Sequence, residues 1–258
     1  MRTVQMLIKC VLITLSLILV GCSSEESQKN ESRLKSSNPN PGTSPTLTPQ
    51  QSSDAKLAAI AFRAAWGRAP PVPLTETHDG QTTIRTYRSG KLVPLGGARY
   101  ALVSSGEGGG AHSEAGSITI HYLTKGDESF ELVGSWPSLV IGGTFGHPPE
   151  WSVRTDLMQG PTLELISGGT WQGYTCGWTS LVELTPKRPI IRADGIITSY
   201  SSIGALGDSG KEMEGIIRPG IKSETFVVNY KGSFNSKVTY ANVGTVYDPL
   251  EPPDLPNC

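Results

Sequence analysis

An excess of charge of either sign is missing from this chain. Its 258 residues carry 22 Lys and Arg against 23 Asp and Glu, a net charge of −1. No run of Lys or Arg stands out, so the electrostatic footprint of a nucleic-acid partner is absent and no nucleic acid is expected. Long hydrophobic runs are missing too. The apolar stretch from Val11 to Val20 falls short of the roughly 20 residues a membrane-spanning helix needs. No sequence repeat recurs at a fixed period, which argues against a propeller. Histidine is scarce: His78, His112, His121 and His147 do not fall at metal-ligand spacings. A His112-Ser113-Glu114 pair would supply two ligands where a closed site needs three or four, so no metal and no cofactor are expected. Charged residues make up only 17% of the chain while glycine reaches 30 residues. That balance suits an all-β exported protein better than a helical one.

What is present begins at the N-terminus. Arg2 and Lys9 precede the apolar run Cys10-Val11-Leu12-Ile13-Thr14-Leu15-Ser16-Leu17-Ile18, and Leu19-Val20-Gly21-Cys22 follows. A basic start, an apolar segment and a small residue at the cleavage point form the layout of a secretory signal. Leu19-Val20-Gly21-Cys22 resembles the lipobox of bacterial lipoproteins. The resemblance implies cleavage before Cys22, lipidation of its thiol and acylation of the new N-terminus. Several acyl chains together would supply the more-than-one signal that stable anchoring requires. Ser23, in place of aspartate, resembles the pattern of lipoproteins sorted to the outer membrane. The expected location is the bacterial cell envelope, lipid-anchored through Cys22 and facing the periplasm. The resemblance covers only the first two dozen residues.

Cysteine usage then narrows. Cys10 leaves with the signal and Cys22 takes the lipid, so Cys176 and Cys258 remain. An even pair in an oxidising compartment reads as a disulfide. Two free thiols, or pairing of Cys258 with another molecule, are the alternatives.

Three segments follow: a signal over residues 1–21, a Ser-, Pro- and Asn-rich tether over residues 22–53, and one β-rich domain over residues 54–258 with a Pro-rich tail. The tether lacks apolar clusters able to offset its ordering entropy, so it is expected to be disordered. Asp54–Trp66 reads as a short helix. Ser53 or Asp54 would cap it, Leu57, Ile60, Ala61 and Ala64 would form its apolar stripe, and Gly67 would stop it. From Thr82 the pattern is strands and turns. Thr82–Arg88 and Lys91–Leu95 read as a hairpin, and the glycine run at Gly108–Gly110 as a flexible loop. Ser117–Thr124 alternates, with Ile118, Ile120 and Tyr122 on one face and Thr119 and His121 on the other. Gly142–Gln159 reads as a long irregular stretch. Gly168-Gly169 reads as a turn, and Ile190–Ser201 as a strand interrupted at Asp194-Gly195 by a bulge or a hairpin. The expected fold is all-β, a mostly antiparallel sandwich or incomplete barrel with one short N-terminal helix.

Candidate chemistry is sparse. Gly207-Asp208-Ser209-Gly210 resembles the nucleophile loop of chymotrypsin-like serine proteases, with His112 as base and Asp127 or Asp156 as orienter. Lys211 stands where that family has a second glycine, and turn residues account for the tetrapeptide equally well. Glu150, Asp156, Glu164 and Glu183 are the carboxylates from which a glycosidase pair could be drawn. The richest stretch is Gly168–Trp178. On one strand, Tyr174, Cys176 and Trp178 share a face and Trp171 lies on the other. Glycines between them leave the rings uncovered, ready to stack on sugars or on a partner's apolar side chains. Trp136 and Trp151 could join them, whereas packing in the core is the alternative use of such rings. The reading is a non-enzymatic envelope lipoprotein, an inhibitor-like or accessory module that binds an envelope protein or a cell-wall glycan. An envelope hydrolase using Ser209 or a carboxylate pair is the alternative.

Overall fold

The computed structural model describes residues 49–78 and 81–258. Cys22, the signal and nearly all of the tether lie outside the described residues. Among those residues no helix is long and apolar enough to cross a membrane.

The first helix, α1 (Pro49–Trp66), starts five residues ahead of Asp54. Proline is tolerated there because the first turn has no acceptor for its missing N–H. Gln50 donates to Asp54 across one turn and Ser53 Oγ to Gln50 O, both at 2.9 Å, so Ser53 and Asp54 sit inside the helix rather than capping it. The tether therefore loses its last residues to α1. The buried face is also rotated from the expected one. Ala61, Phe62 and Ala65 are buried with Leu57 beside them, whereas Ile60 is 43% exposed. Residues 57, 61 and 65 recur at four-residue spacing and carry Phe62 into the same stripe. Gly67, at φ +67°, ends the helix as expected.

Six strands form the first sheet: β1 (Val72–His78), β2 (Gln81–Tyr87), β3 (Lys91–Gly96), β4 (Arg99–Glu107), β5 (Gly116–Lys125) and β6 (Phe130–Gly142). Their order is β1-β2-β4-β5-β6, with β3 also on β4. The expected β2–β3 hairpin does not form. Gly96 and Gly97, at φ +98° and +59°, turn the chain tightly, so β3 folds back onto β4. Strand β2 meets β4 further along, at Gly106 and Glu107, and pairs mainly with β1.

Strand β5 shows why the helix is needed. Ile118, Ile120 and Tyr122 face the second sheet, and the opposite face, with Thr119 and His121, is buried as well. The Trp66 ring lies 4.5 Å from Tyr87 and 4.7 Å from His121, closing that face. The polar groups there bond to one another. Thr119 donates to the Tyr87 hydroxyl at 2.9 Å, and Tyr87 meets Ser117 Oγ at 2.8 Å. Ser138 Oγ donates to Glu76 at 2.5 Å, and Arg85 pairs with Glu76 at 2.6 Å.

The second sheet is a sequential antiparallel meander that curls into a half-barrel. It runs through β7 (Glu150–Arg154), β8 (Thr162–Trp171), β9 (Tyr174–Leu184), β10 (Pro189–Ser201), β11 (Glu212–Pro219), β12 (Thr225–Gly232), β13 (Ser236–Asn242) and β14 (Tyr247–Pro249). Strand β7 lies inside the stretch expected to be irregular. The register of β10 shifts between Ala193 and Ile196, where the interruption at Asp194-Gly195 was expected. A single-turn helix, α2 (Ile203–Leu206), and a 3-10 turn at Gly207–Ser209 lead from β10 into β11.

Two cores result. Val103, Ile118 and Ile120 of the first sheet pack on Leu163, Leu165, Val182 and Leu184 of the second, making the sandwich. Leu157, Met158, Ile217, Phe226, Val228 and Tyr240 fill the half-barrel, with Phe226 and Tyr240 stacked at 4.8 Å.

Burial holds the His121 imidazole neutral and pushes its pKa down from 6.5 to about 4. The unfolded chain then binds more protons between those values, so stability is full above pH 6.5 and falls as pH drops toward 4. The expected loss is about 2–3 kcal/mol. A urea-unfolding series across this range should show a much shallower slope for His121→Phe, and an unchanged slope would disprove the assignment.

Candidate functional site

The site grows from one two-residue turn. Gln172 and Gly173 both have positive φ, +51° and +82°, the backbone of a tight hairpin turn whose twist matches the strands it joins. Strands β8 and β9 therefore pair without a register shift, from Thr162↔Glu183 to Trp171↔Tyr174. The turn sits at Gln172-Gly173 and not at Gly168-Gly169, which are paired strand residues. This moves Trp171. Directly cross-strand residues share a face, so Trp171 lies beside Tyr174, Cys176 and Trp178 rather than opposite them.

The same alternation places Leu163, Leu165, Val182 and Leu184 on that face. Those four lie in the sandwich core. The aromatic residues are thus the far end of a core-facing surface that runs past the sheet covering it. Trp171 is 42% exposed and Tyr174 38% exposed, with Trp178 half-buried behind them. The two indoles stand 5.9 Å apart. Gly169 makes room for this, because a Cβ there would lie 2.5 Å from the Trp171 ring. At the hairpin tip, a Cβ on Gly173 would lie 2.5 Å from the Gly204 backbone, so the turn rests directly on α2.

Cys176 and Cys258 form the disulfide, 82 residues apart in sequence. The bond brings the tail back from β14 onto β9, with Leu255 packed on the half-barrel core along the way. Asn257 and Cys258 join Trp171, Tyr174, Cys176 and Trp178 around a cleft of about 520 Å³. None of the six lining side chains carries a charge.

Two residues outside the expected set complete the surface. The His112 ring lies 4.7 Å from Phe145 and 6.1 Å from Trp171, edge-on to both, and its Nε2 is 3.1 Å from Thr170 O. The glycine-rich loop that carries His112 is pinned rather than loose. Gly108 N donates to Gly146 O at 2.8 Å, Gly146 N to Glu114 O at 3.0 Å, and Gly116 N to His147 O at 3.1 Å. Glycines make this interlock possible, since a Cβ on Gly146 would lie 2.7 Å from Gly108 O. Phe145 sits on the ridge so formed, 52% exposed and with φ at +54°. A bulky residue in that left-handed conformation is costly, by about 1–2 kcal/mol.

The other expected members do not join. Trp151 donates from Nε1 to Ser105 at 3.3 Å, with Lys91 over its ring at 5.5 Å, and is half-buried against the sandwich core. Trp136 packs edge-on against Tyr122 at 4.9 Å. Ser209 Oγ donates to Leu206 O at 2.8 Å within an exposed turn, while His112 is engaged at Thr170 and His121 is buried beneath Trp66. Three of the four candidate carboxylates are held by arginines, and Glu150 is exposed on β7. Glu164 and Asp156 both pair with Arg154 at 2.8 Å, which holds the Asp156 carboxyl below its usual range. Glu183 pairs with Arg192 at 2.7 Å and accepts from Gly160 N. Among the described residues no group of three or more His, Cys, Asp or Glu could hold a metal ion.

The sequence alone does not bring Phe145 to this face, and it offers His112 only as a base or ligand, because their loops join only in space. The Gln172-Gly173 turn does leave a signal, which the Gly168-Gly169 pair outweighs in the sequence: a residue that tolerates a turn, then glycine, between two β-rich runs. Compared with known proteins, the chain matches no family model, no curated protein and no solved structure.

Replacing Cys176 and Cys258 by serine should lower stability by about 2–5 kcal/mol, read by denaturant unfolding. It should also shift the Trp178 emission, because the tail that lines its cleft is released. Unchanged emission would show that the tail is held by other contacts.

Proposed function

We propose that this chain is a lipid-anchored envelope lipoprotein that works as a non-enzymatic binding module. In this reading Cys22 carries the lipid. The aromatic face at the end of β8 and β9 recognises an envelope protein or a cell-wall glycan. One observation carries it: Trp171, Tyr174, Phe145 and His112 form an exposed aromatic band on a backbone pinned by a tight turn, a disulfide and interlocked loops. A contiguous apolar patch on an otherwise polar surface marks an interaction site. Rigid aromatic anchors supply large contact area at little entropic cost. The arginine-bound carboxylates and the turn-bonded Ser209 favour binding over hydrolysis.

Two measurements test the two halves of the proposal. Growth with labelled palmitate should label the wild-type chain, and Cys22→Ser should abolish both label and membrane fractionation. A photo-crosslinking residue in place of Trp171 should yield an adduct with one envelope component in cells. The same probe at exposed Ile84 is the control, and equal adducts at both positions would overturn the binding site. Trp171→Ala should lower stability by about 1–3 kcal/mol, because just over half of the residue is buried, so denaturant unfolding of the variant is read alongside its binding.

A further inference from the structure

We propose that the ligand of this face is an extended oligosaccharide that occupies two subsites, one on each side of the His112–Phe145 ridge. The proposal rests on the binding reading given above and names the ligand class. The first subsite is the aromatic cleft. A pyranose ring has an apolar C–H face and a rim of hydroxyls. Such a ring stacks on an exposed indole while its rim meets neutral hydrogen-bonding groups. The cleft offers that combination, with Trp171 and Tyr174 as platforms, Asn257 at the wall and no charged side chain lining it.

The second subsite is a larger open cleft, about 690 Å³, on the other side of the same ridge. Thr82, Thr83, Ser113 and Ser138 line it, together with the Glu76–Arg85 ion pair. Glu114 adds a further carboxylate, so the surface is rich in hydroxyls and acceptors while its arginine is already neutralised, which suits a polar ligand that donates hydrogen bonds and carries no negative charge. The two clefts are neighbours along the chain. His112 reaches toward Trp171, while Ala111 and Ser113 on either side of it line the second cleft. Ring positions therefore continue from Trp178 to Trp171 at 5.9 Å, on to His112 at 6.1 Å, and then into the second cleft. A chain of alternating stacking faces and hydroxyl rims uses one aromatic and one polar subsite. The ridge keeps them in fixed relation, because its loops are bonded backbone to backbone.

The test uses the full lipidated chain in nanodiscs, titrated with β-1,4-linked N-acetylglucosamine oligomers from dimer to hexamer and followed by calorimetry and tryptophan emission. The hexamer should bind at least about tenfold more tightly than the dimer, the gain expected from a second linked subsite. Trp171→Ala should weaken every length by about tenfold, with Trp171→Phe restoring part of the loss. Ser113→Trp, which fills the second cleft from an exposed position, should remove the length dependence and bring the hexamer's affinity down to the dimer's. Thr82→Trp serves as an independent second blocker. Equal affinity for dimer and hexamer, or length dependence that survives both blockers, would overturn the two-subsite proposal. No oligomer binding, with a protein adduct at position 171, would overturn the saccharide assignment and leave the binding module standing. No oligomer binding and no adduct would remove both.

Discussion

The register between β8 and β9 is the constraint on which the rest depends. Ten consecutive pairs run from Thr162↔Glu183 to Trp171↔Tyr174 without a shift. Because side chains alternate, a slip of one residue would turn over one strand's set, either Leu163, Leu165 and Trp171 of β8 or Val182, Leu184, Tyr174 and Trp178 of β9, taking aliphatic residues out of the sandwich and aromatic ones out of the cleft together. Core and candidate site are therefore specified by one choice of pairing. The Gln172-Gly173 turn fixes that choice at one end. The burial of four aliphatic side chains fixes it at the other, each contributing about 1.5–3 kcal/mol if fully removed from water.

The first sheet solves a different problem. Its central strand β5 is buried on both faces, yet one face carries Thr119 and His121. Burying such groups unpaired costs more than their bonds return. For Thr119 the chain answers with a linked set of partners: Thr119 to Tyr87, Tyr87 to Ser117, Ser138 to Glu76, and Glu76 to Arg85, whereas His121 is buried neutral beneath the Trp66 ring. Helix α1 then covers the aromatic and aliphatic parts with Phe62 and Trp66. Most of this network links strands far apart in sequence, so it specifies which strands meet as well as stabilising their meeting.

How much of this could be read beforehand follows from how local each signal is. The all-β class, the helix stop at Gly67, the interruption at Asp194-Gly195 and the Cys176–Cys258 pairing were legible. Each rests on composition, a short pattern or a count. The start of α1 at Pro49 was not, because the segment before Asp54 reads as polar tether and only its helical hydrogen bonds reveal otherwise. The β2–β3 hairpin failed because Ser89-Gly90 resembles a turn, while the decisive geometry lay six residues later, at Gly96-Gly97. Trp171 was placed on the wrong face for the same reason: the position of one turn decides the parity of everything after it. Phe145 and His112 could not be grouped with Trp171 at all. Their proximity comes from backbone bonds between loops that are more than thirty residues apart.

The aromatic end of the sheet is expensive to maintain, and this argues for its use. Trp171 leaves 42% of its surface in water, forgoing about 2–3 kcal/mol of burial that a fully packed indole would contribute. Phe145 is held in a left-handed backbone that costs about 1–2 kcal/mol more than an ordinary one. Domains of this size have only about 5–15 kcal/mol of net stability, so a few kcal/mol at one end is a sizeable share. A threonine at 171 and a glycine at 145 would avoid both costs without disturbing either core. The disulfide lies at the same end, and a link closing so long a loop stabilises by an amount of similar size, about 2–5 kcal/mol. The covalent bond and the unfavourable aromatic placements thus fall together: the chain is reinforced next to the surface where its own packing is least favourable.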